Sequence, residues 1–181
     1  MTHPDPKDEL VTHLRDLRAF AVSLTRNRTM ADDLVQDTIL KAWSNLDKFK
    51  PGTRMKAWLF TILRNTYYTQ HQKRKREIED PGGIHLDTRS VKPDHDGRLH
   101  LRDFQTAFNQ LNDEQREALI LVGAEGFSYD EAAEMVGAAP GTVKSRVNRA
   151  RARLTELMGL DKDGAMDLTD KATRAIVTDE Y

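Results

Sequence analysis

The chain has 181 residues, which allows one ordinary domain or two small ones and excludes a large catalytic barrel. Hydrophobic residues make up 38% and charged residues 31%, so the chain can build modest cores but keeps much solvated or partner-facing surface. Without cysteine it has no disulfide, thiol nucleophile or cysteine zinc site. No apolar run approaches the roughly 20 residues of a membrane span, and the polar start is unlike a signal peptide. We therefore expect a cytoplasmic protein with no membrane association.

The net charge of −1 means that any attraction to nucleic acid depends on where the charges lie. Apolar residues recur only at helical spacing, which predicts an all-α chain. The first predicted helix covers residues 8–26, the second covers Ala31–Leu46 with Val35, Ile39 and Trp43 in its buried stripe, and the third runs from about Lys56 to residue 76. These three helices predict a first small module over residues 8–76.

The hydrophobic pattern lapses over residues 77–97, which contain two prolines and three glycines, and this composition predicts a flexible linker. Periodicity returns over residues 98–158 and predicts a second small helical module. The remainder, residues 159–181, is an acidic tail that we expect to be disordered, or helical only when bound to a partner.

A helix-turn-helix is predicted in the second module. Ser128 and Glu131 have the spacing of a capping box, which fixes a helix start at Ser128. Gly137 can end that helix, and Pro140 suits the first turn of the next. In the second helix the apolar stripe consists of Val143, Val147, Ala150, Leu154 and Leu157.

The outward positions of that helix carry Lys144, Ser145, Arg146, Asn148, Arg149, Arg151 and Arg153. Arginine pairs with guanine edges and lysine with phosphates, so this face predicts a helix that enters the major groove of DNA. The alternative is a basic face that is merely solvated.

The third helix of the first module ends in a basic segment with aromatic residues. Arg64, Tyr68, His71 and Lys75 share one side of it. Such a mixture suits unpaired nucleic acid, because bases can stack on the aromatic rings while cations follow the phosphates. Alternatively the tyrosines pack internally and the basic residues offset the helix dipole.

Three carboxylates, Asp32, Asp33 and Asp37, begin the second helix and invite comparison with a magnesium site. No second acidic cluster or glycine-rich phosphate loop accompanies them, so we expect a helix cap or a protein contact, and neither a metal nor a cofactor.

Two pairs of segments resemble the extracytoplasmic-function (ECF) sigma factors of the sigma-70 family. Asp32–Trp43 and Ala57–Asn65 resemble conserved region two of that family, and Gly126–Gly137 and Gly141–Arg151 resemble region four. The sequence from Leu119 to Tyr129 is similar to the corresponding segment in the branch that controls the general stress response of alphaproteobacteria.

The resemblance implies a non-enzymatic factor that binds core RNA polymerase, through the β′ clamp helices and the β flap, and directs promoter-specific transcription initiation under an anti-sigma factor. Region two would dock on polymerase through Asp32, Asp33, Gln36 and Asp37. It would hold the unpaired −10 strand through Lys48, Lys50, Thr53, Arg54, Asn65, Tyr68, Gln72 and Arg76. Region four would read the −35 duplex through Thr142, Lys144, Ser145, Arg146 and Arg149.

Three features depart from the family pattern. Thr69 stands where many members carry an acid, Leu111-Asn112-Asp113 replaces the usual Leu-Pro, and the tail is longer than the family requires. Two alternatives stay open: a sigma-like mimic that sequesters an anti-sigma factor without touching DNA, and a dimeric helix-turn-helix repressor. An enzyme fits the sequence least.

Overall fold

The computed structural model describes residues 5–78, 97–160 and 170–176. The chain divides into two compact units, Met1–Val91 and Lys92–Tyr181. Except for residues 77, 78 and 97, the predicted linker lies outside the described residues, as do residues 161–169 and 177–181 of the predicted tail.

Helices make up both units, and the described residues contain no strand, which confirms the predicted all-α class. The first unit has α1 (Pro6–Thr12), α2 (Leu14–Thr25), α3 (Arg28–Ser44), a 3-10 turn (Leu46–Lys48) and α4 (Met55–Ile78). The second unit has α5 (Gly97–Phe108), α6 (Asp113–Leu119) continued by a π-helical turn (Ile120–Ala124), α7 (Tyr129–Val136), α8 (Pro140–Met158) and α9 (170–176). None of the described helices is both long and apolar enough to cross a bilayer.

Polar side chains fix several helix starts. The Asn27 side chain accepts a hydrogen bond from the Met30 amide at 3.0 Å, and that of Asn112 accepts one from the Gln115 amide at 2.8 Å. The Ser128–Glu131 capping box is complete, with both reciprocal hydrogen bonds present. Each cap satisfies amides that have no partner within the helix, so the chain direction at these corners follows from local sequence.

The core of the first unit is centred on two aromatic rings. Phe20 of α2 and Phe60 of α4 are fully buried and stack with their ring centroids 4.8 Å apart. Helices α3 and α4 are also joined by polar contacts: Lys41 Nζ donates to Thr66 Oγ1 at 3.1 Å and Gln70 Nε2 donates to Asp37 Oδ2 at 2.7 Å. These contacts run in opposite directions along the two helices, which are therefore antiparallel.

The buried face of α3 differs from the prediction. The residues that it buries fully are Ala31, Leu34, Thr38 and Ala42. Trp43 lies off this face and is 52% exposed, with Lys7 Nζ 5.1 Å from its ring centroid. The predicted burial of Trp43 is therefore wrong.

The single first helix predicted over residues 8–26 is also wrong, because the chain turns at His13 between α1 and α2. The His13 amide donates to the Leu10 carbonyl, three residues back, which tightens the turn. Leu14, the first residue of α2, is 37% exposed.

The core of the second unit lies beneath α8. Val143, Val147, Ala150 and Leu154 have no exposed surface, which confirms these four positions of the predicted stripe. Arg116 is also buried, where its guanidinium donates to the Leu111 carbonyl at 3.3 Å and pairs with Asp113. The corner between α5 and α6 is therefore held by a buried arginine that has a carbonyl and a carboxylate as partners.

The tail is ordered where the structure describes it. Residues 170–176 form α9, whose Thr173 and Ile176 are buried and whose Asp170 pairs with Arg151 of α8. The expected disorder is wrong for these residues, because their apolar and paired groups gain enough burial to hold a helix.

Replacing Phe60 with alanine tests the first core. We expect Phe60→Ala to lower the free energy of unfolding of the first unit by about 3–5 kcal/mol, because it removes a stacked ring and leaves a cavity. Both tryptophans, Trp43 and Trp58, lie in this unit, so denaturant unfolding followed by their fluorescence measures the change.

The matched control is Leu40→Ala, because Leu40 is 66% exposed and its truncation should change the unfolding free energy by less than about 0.5 kcal/mol. A loss below about 1 kcal/mol for Phe60→Ala would contradict the described core.

Candidate nucleic-acid interface

A tight corner joins α7 to α8. Gly137 has a positive φ of 66°, a conformation that is strained for residues with a side chain, and Pro140 begins α8 three residues later. The Ala138 amide donates to the Ala133 carbonyl at 3.1 Å, and the Thr142 amide donates to the Ala139 carbonyl at 2.9 Å. The corner gives the predicted helix-turn-helix, with α8 as its second helix.

The buried stripe of α8 determines which side chains face solvent. Thr142, Lys144 and Arg149 are exposed, whereas Ser145 and Arg146 are half-buried. The structure thus brings all five predicted −35 residues to the outer side of one helix, within its first three turns. Arg149 makes no ion pair within the described part of the chain, so its guanidinium is available to a ligand.

Arg146 differs from Arg149 because it is tied to a neighbouring helix. Its Nη2 lies 2.8 Å from Oε1 of Glu114 in α6, and its side chain is 19% exposed. Two other outward arginines are also paired, Arg151 with Asp170 and Arg153 with Glu156. The basic face is therefore partly balanced by carboxylates of the same unit.

A cavity of about 500 Å³ lies in the first unit, where the end of α3 meets α4. Its lining residues are Lys41, Asn45, Lys48, Trp58, Ile62, Asn65, Thr66 and Thr69. Trp58 and Ile62 provide apolar surface, and the other residues provide ammonium, amide and hydroxyl groups. This combination suits a flat group with a polar edge, such as a nucleic-acid base.

Side-chain hydrogen bonds organise the mouth of this cavity. Lys48 Nζ donates to Asn45 Oδ1 at 2.6 Å, and Asn45 Nδ2 donates to the Lys41 carbonyl at 2.8 Å. The ring of Trp58 packs against Phe49 with centroids 5.4 Å apart. Three of the lining side chains thus have partners within the protein.

The predicted −10 residues fall into two groups. Lys48 and Asn65 line the cavity. The structure does not bring the others to it: some lie in the exposed loop before α4 and the rest lie further along that helix, namely Lys50, Thr53, Arg54, Tyr68, Gln72 and Arg76.

Sequence reasoning missed Lys41, Trp58, Ile62 and Thr66 as cavity residues. The signal was present in α4, where the lining positions from Trp58 to Thr69 recur at helical spacing on one face. The face could not be assigned without knowing that α3 ends opposite it.

The loop before α4 is shaped by its central dipeptide. Pro51 and Gly52 occupy the middle of a turn, Gly52 has a φ of +86°, and the Thr53 amide donates to the Lys50 carbonyl at 3.2 Å. Proline and glycine are the residues that such a turn requires, so the exposed cations on either side of it project from a defined loop.

Aromatic side chains of α4 contact one another along the helix. The Arg64 guanidinium lies 4.5 Å from the ring centroid of Tyr68, and Tyr67 stacks on His71 at 5.7 Å. The Tyr68 ring is therefore partly covered by Arg64 rather than fully open for base stacking.

The acidic residues of α3 are not equivalent. Arg18 donates to both carboxylate oxygens of Asp32, at 2.6 and 3.3 Å, and this hydrogen bonding lowers the pKa of Asp32 below its ordinary value. Asp37 accepts the hydrogen bond from Gln70. Among the described residues, no cluster of three or more acids or histidines is suited to hold a metal ion.

Asp33 and Gln36 are exposed on one side of α3, and the same side continues to Leu40 and Trp43. Leu40 is 66% and Trp43 52% exposed, which is unusual for large apolar side chains. We call Asp33, Gln36, Leu40 and Trp43 the α3 stripe. Such a stripe, acidic at one end and apolar at the other, has the composition of a protein-binding surface.

Comparison with known proteins agrees with the geometry of both units. The family model of sigma-70 region 2 matches residues 10–77, and that of sigma-70 region 4 matches residues 101–154. The ECF RNA polymerase sigma factor EcfG of Rhodopseudomonas palustris is 48% identical over 172 residues, which are 94% of each chain. The RNA polymerase sigma factor CarQ of Myxococcus xanthus is 31% identical over 84% of this chain and 88% of its own.

A solved structure is also similar. The sigma factor RpoE of Bartonella quintana, co-crystallised with the anti-sigma factor NepR, shares 52% identity, with a TM-score of 0.77 over 86% of this chain and 98% of its own. From the helix-turn-helix, the two matched regions and these identities over nearly the whole length, it follows that the chain belongs to the extracytoplasmic-function sigma factors of the sigma-70 family.

Proposed function

We propose that this chain binds core RNA polymerase and directs promoter-specific transcription initiation, with the first unit holding the melted −10 strand and the second unit reading the −35 duplex. The observation that supports this most is the orientation of α8, whose fully buried stripe leaves Lys144 and Arg149 exposed beside the helix-turn-helix corner. The chain itself would catalyse no reaction, since polymerase supplies the chemistry. This function requires it to be in the cytoplasm with the chromosome.

At the −35 element, arginine can form paired hydrogen bonds with guanine, whereas lysine pairs with phosphates. Arg149 has the geometry for the first role, because it is exposed and carries no ion pair to a described residue. Lys144 and Thr142, near the helix N-terminus, suit phosphate contacts. Ser145 and Arg146 would complete the contact surface.

At the −10 element, an unpaired base would enter the cavity between α3 and α4. Trp58 offers stacking surface, and Asn65 and Lys48 offer hydrogen-bond donors at its rim. The cations of the Lys50–Arg54 loop and the exposed Gln72 and Arg76 would follow the phosphates of the same strand.

The α3 stripe is the proposed docking surface for the β′ clamp helices, and the second unit would contact the β flap. Asp33 and Gln36 are exposed for polar contacts, and Leu40 and Trp43 add apolar surface. Asp32 and Asp37 would support the same surface from its edges, since each already has an internal partner.

Control by an anti-sigma factor is part of the proposal. A relative with 52% identity is described in complex with the anti-sigma factor NepR, and the chain resembles the branch that serves the general stress response. An anti-sigma factor that covers the α3 stripe would compete with polymerase, which accounts for regulation by simple exclusion.

Transcription in a purified system tests the proposed function. Core polymerase, the complete chain and a library of promoter sequences are mixed, and RNA start sites are mapped with and without the chain. We expect new starts that share two DNA elements. Identical starts at identical rates without the chain would contradict the proposal, and binding of an anti-sigma factor without any effect on transcription would favour the sequestering mimic.

Substitution of the recognition arginines tests the −35 assignment. Arg149→Ala and Arg146→Ala should each weaken promoter binding by about 1–3 kcal/mol where the arginine reads a guanine, because a paired hydrogen bond to the base is lost. Equilibrium binding of polymerase containing each variant to matched and altered −35 duplexes measures the change.

Arg153→Ala is the matched control, because Arg153 lies in a later turn of α8 and pairs with Glu156. We expect it to bind promoter DNA like the wild-type chain. If Arg149→Ala and Arg146→Ala also bind like the wild-type chain, α8 is not the recognition helix.

Removal of one amide tests the −10 cavity. Asn65→Ala should reduce promoter opening about 2- to 10-fold, because it removes a hydrogen bond of about 0.5–1.5 kcal/mol to the captured base. Permanganate reactivity of thymines within the −10 element measures the opening, and binding to an isolated −35 duplex should not change.

Thr61→Ala controls for loss of one polar group on the same helix, because Thr61 bonds the Ala57 carbonyl and does not line the cavity. Equal effects of the two substitutions would show that the cavity has no special part in opening.

Reversing one charge on the α3 stripe tests the docking surface. Asp33→Lys should weaken binding to core polymerase by at least about tenfold, since it places a like charge against the partner's cations. Fluorescence anisotropy of the labelled chain titrated with core polymerase measures the affinity. Asp103→Lys makes the same change at an exposed site of α5, and equal weakening by both would contradict the assignment.

A further inference from the structure

Helix α9 is held on the second unit by a paired carboxylate. Asp170 accepts two hydrogen bonds from Arg151, from Nε at 3.1 Å and from Nη2 at 2.7 Å. The Arg151 side chain is 12% and the Asp170 side chain 29% exposed, so the pair is largely shielded from water. Paired hydrogen bonds between guanidinium and carboxylate are directional and strong.

The Asp170 carboxylate packs closely against a glycine of the neighbouring turn. A Cβ added at Gly123, in the π-helical turn, would lie 2.9 Å from Asp170 Oδ1, closer than such atoms approach. Arg174 Nη2 reaches the Gly123 carbonyl at 3.5 Å, and Thr173 between these residues is fully buried. Segment 170–176 therefore occupies a fitted site rather than resting on an open surface.

Arg151 also lies on a flank of the proposed recognition helix. It is seven residues after Lys144, two helical turns and about 10.5 Å along the same side of α8. A helix in the major groove has a phosphate strand beside each flank, and Lys144 and Arg151 share one of these flanks. The guanidinium of Arg151 is bidentate for carboxylate and phosphate alike.

We propose that Arg151 is a phosphate contact for the −35 duplex and that Asp170 of the C-terminal helix masks it in the free chain. The inference rests on the proposed function, because it needs α8 in the major groove. The carboxylate of Asp170 and a DNA phosphate would compete for the same two donors of Arg151, Nε and Nη2. Masking lowers affinity for every duplex equally, since a phosphate contact carries no sequence information.

Binding of the complete chain to DNA over a range of salt concentrations tests this. Matched and scrambled −35 duplexes are titrated with wild-type chain, Asp170→Asn, Arg151→Ala and the double variant. We expect Asp170→Asn to raise affinity for both duplexes by about three- to tenfold near 0.1 M salt and to steepen the salt slope by about one phosphate contact. In the Arg151→Ala background the substitution should have no effect.

Two further variants separate masking from other causes. Asp167→Asn removes the same charge from the C-terminal segment three residues earlier and should change affinity little. Gly123→Ala leaves all charges in place but forces the Asp170 carboxylate to shift, and it should raise affinity in the same direction as Asp170→Asn.

Equal or weaker binding by Asp170→Asn, or a gain that persists without Arg151, overturns the inference. A wild-type chain that binds matched and scrambled duplexes alike contradicts the proposed function instead, because the Asp170 effect is independent of sequence.

Discussion

The burial of four apolar side chains on α8 determines which face of this helix the second unit can present to DNA. Val143, Val147, Ala150 and Leu154 have no exposed surface, so α8 cannot rotate about its axis without exposing them. Rotation by one residue, about 100°, would also bury an arginine or lysine without a partner. The outward basic residues therefore follow from packing. Two of these residues form ion pairs with carboxylates of the same unit, Arg146 with Glu114 and Arg151 with Asp170, which partly neutralises the basic face.

The first unit uses a different principle. Helix α3 buries Ala31, Leu34, Thr38 and Ala42, and the larger Leu40 and Trp43 lie on the proposed polymerase-binding surface. The cavity lies between the end of α3 and α4. The proposed strand-binding and polymerase-binding surfaces therefore both include α3. Since each unit has its own core, joining the two proposed DNA contacts in one chain raises the effective concentration of the second once the first has formed.

The features of the fold that were predicted correctly depend on residues that are close together in the sequence. The Ser128–Glu131 capping box, Gly137 and the α8 stripe depend on residues within one or two turns of each other. The orientation of α3 was missed because apolar residues surround that helix, and only packing against α2 and α4 selects the buried side. The packing of α9 against α8 was missed because Asp170, Arg151 and Gly123 are distant in sequence. The cavity was missed for the same reason, because its lining comes from separate segments of the chain. Two of its lining residues, Lys48 and Asn65, were nevertheless predicted to contact the −10 strand.

Two surfaces of this chain are proposed to act on two DNA elements, one as a duplex and the other as a melted strand. Hydroxyl-radical and permanganate footprinting of one polymerase complex measures both at once, by protection of the −35 duplex and reactivity of unpaired −10 thymines. We expect both signals together. Arg149→Ala should mainly reduce the upstream protection, and Asn65→Ala should reduce only the downstream reactivity. Either signal alone in the wild-type complex, or loss of both signals equally with each substitution, would contradict this proposal.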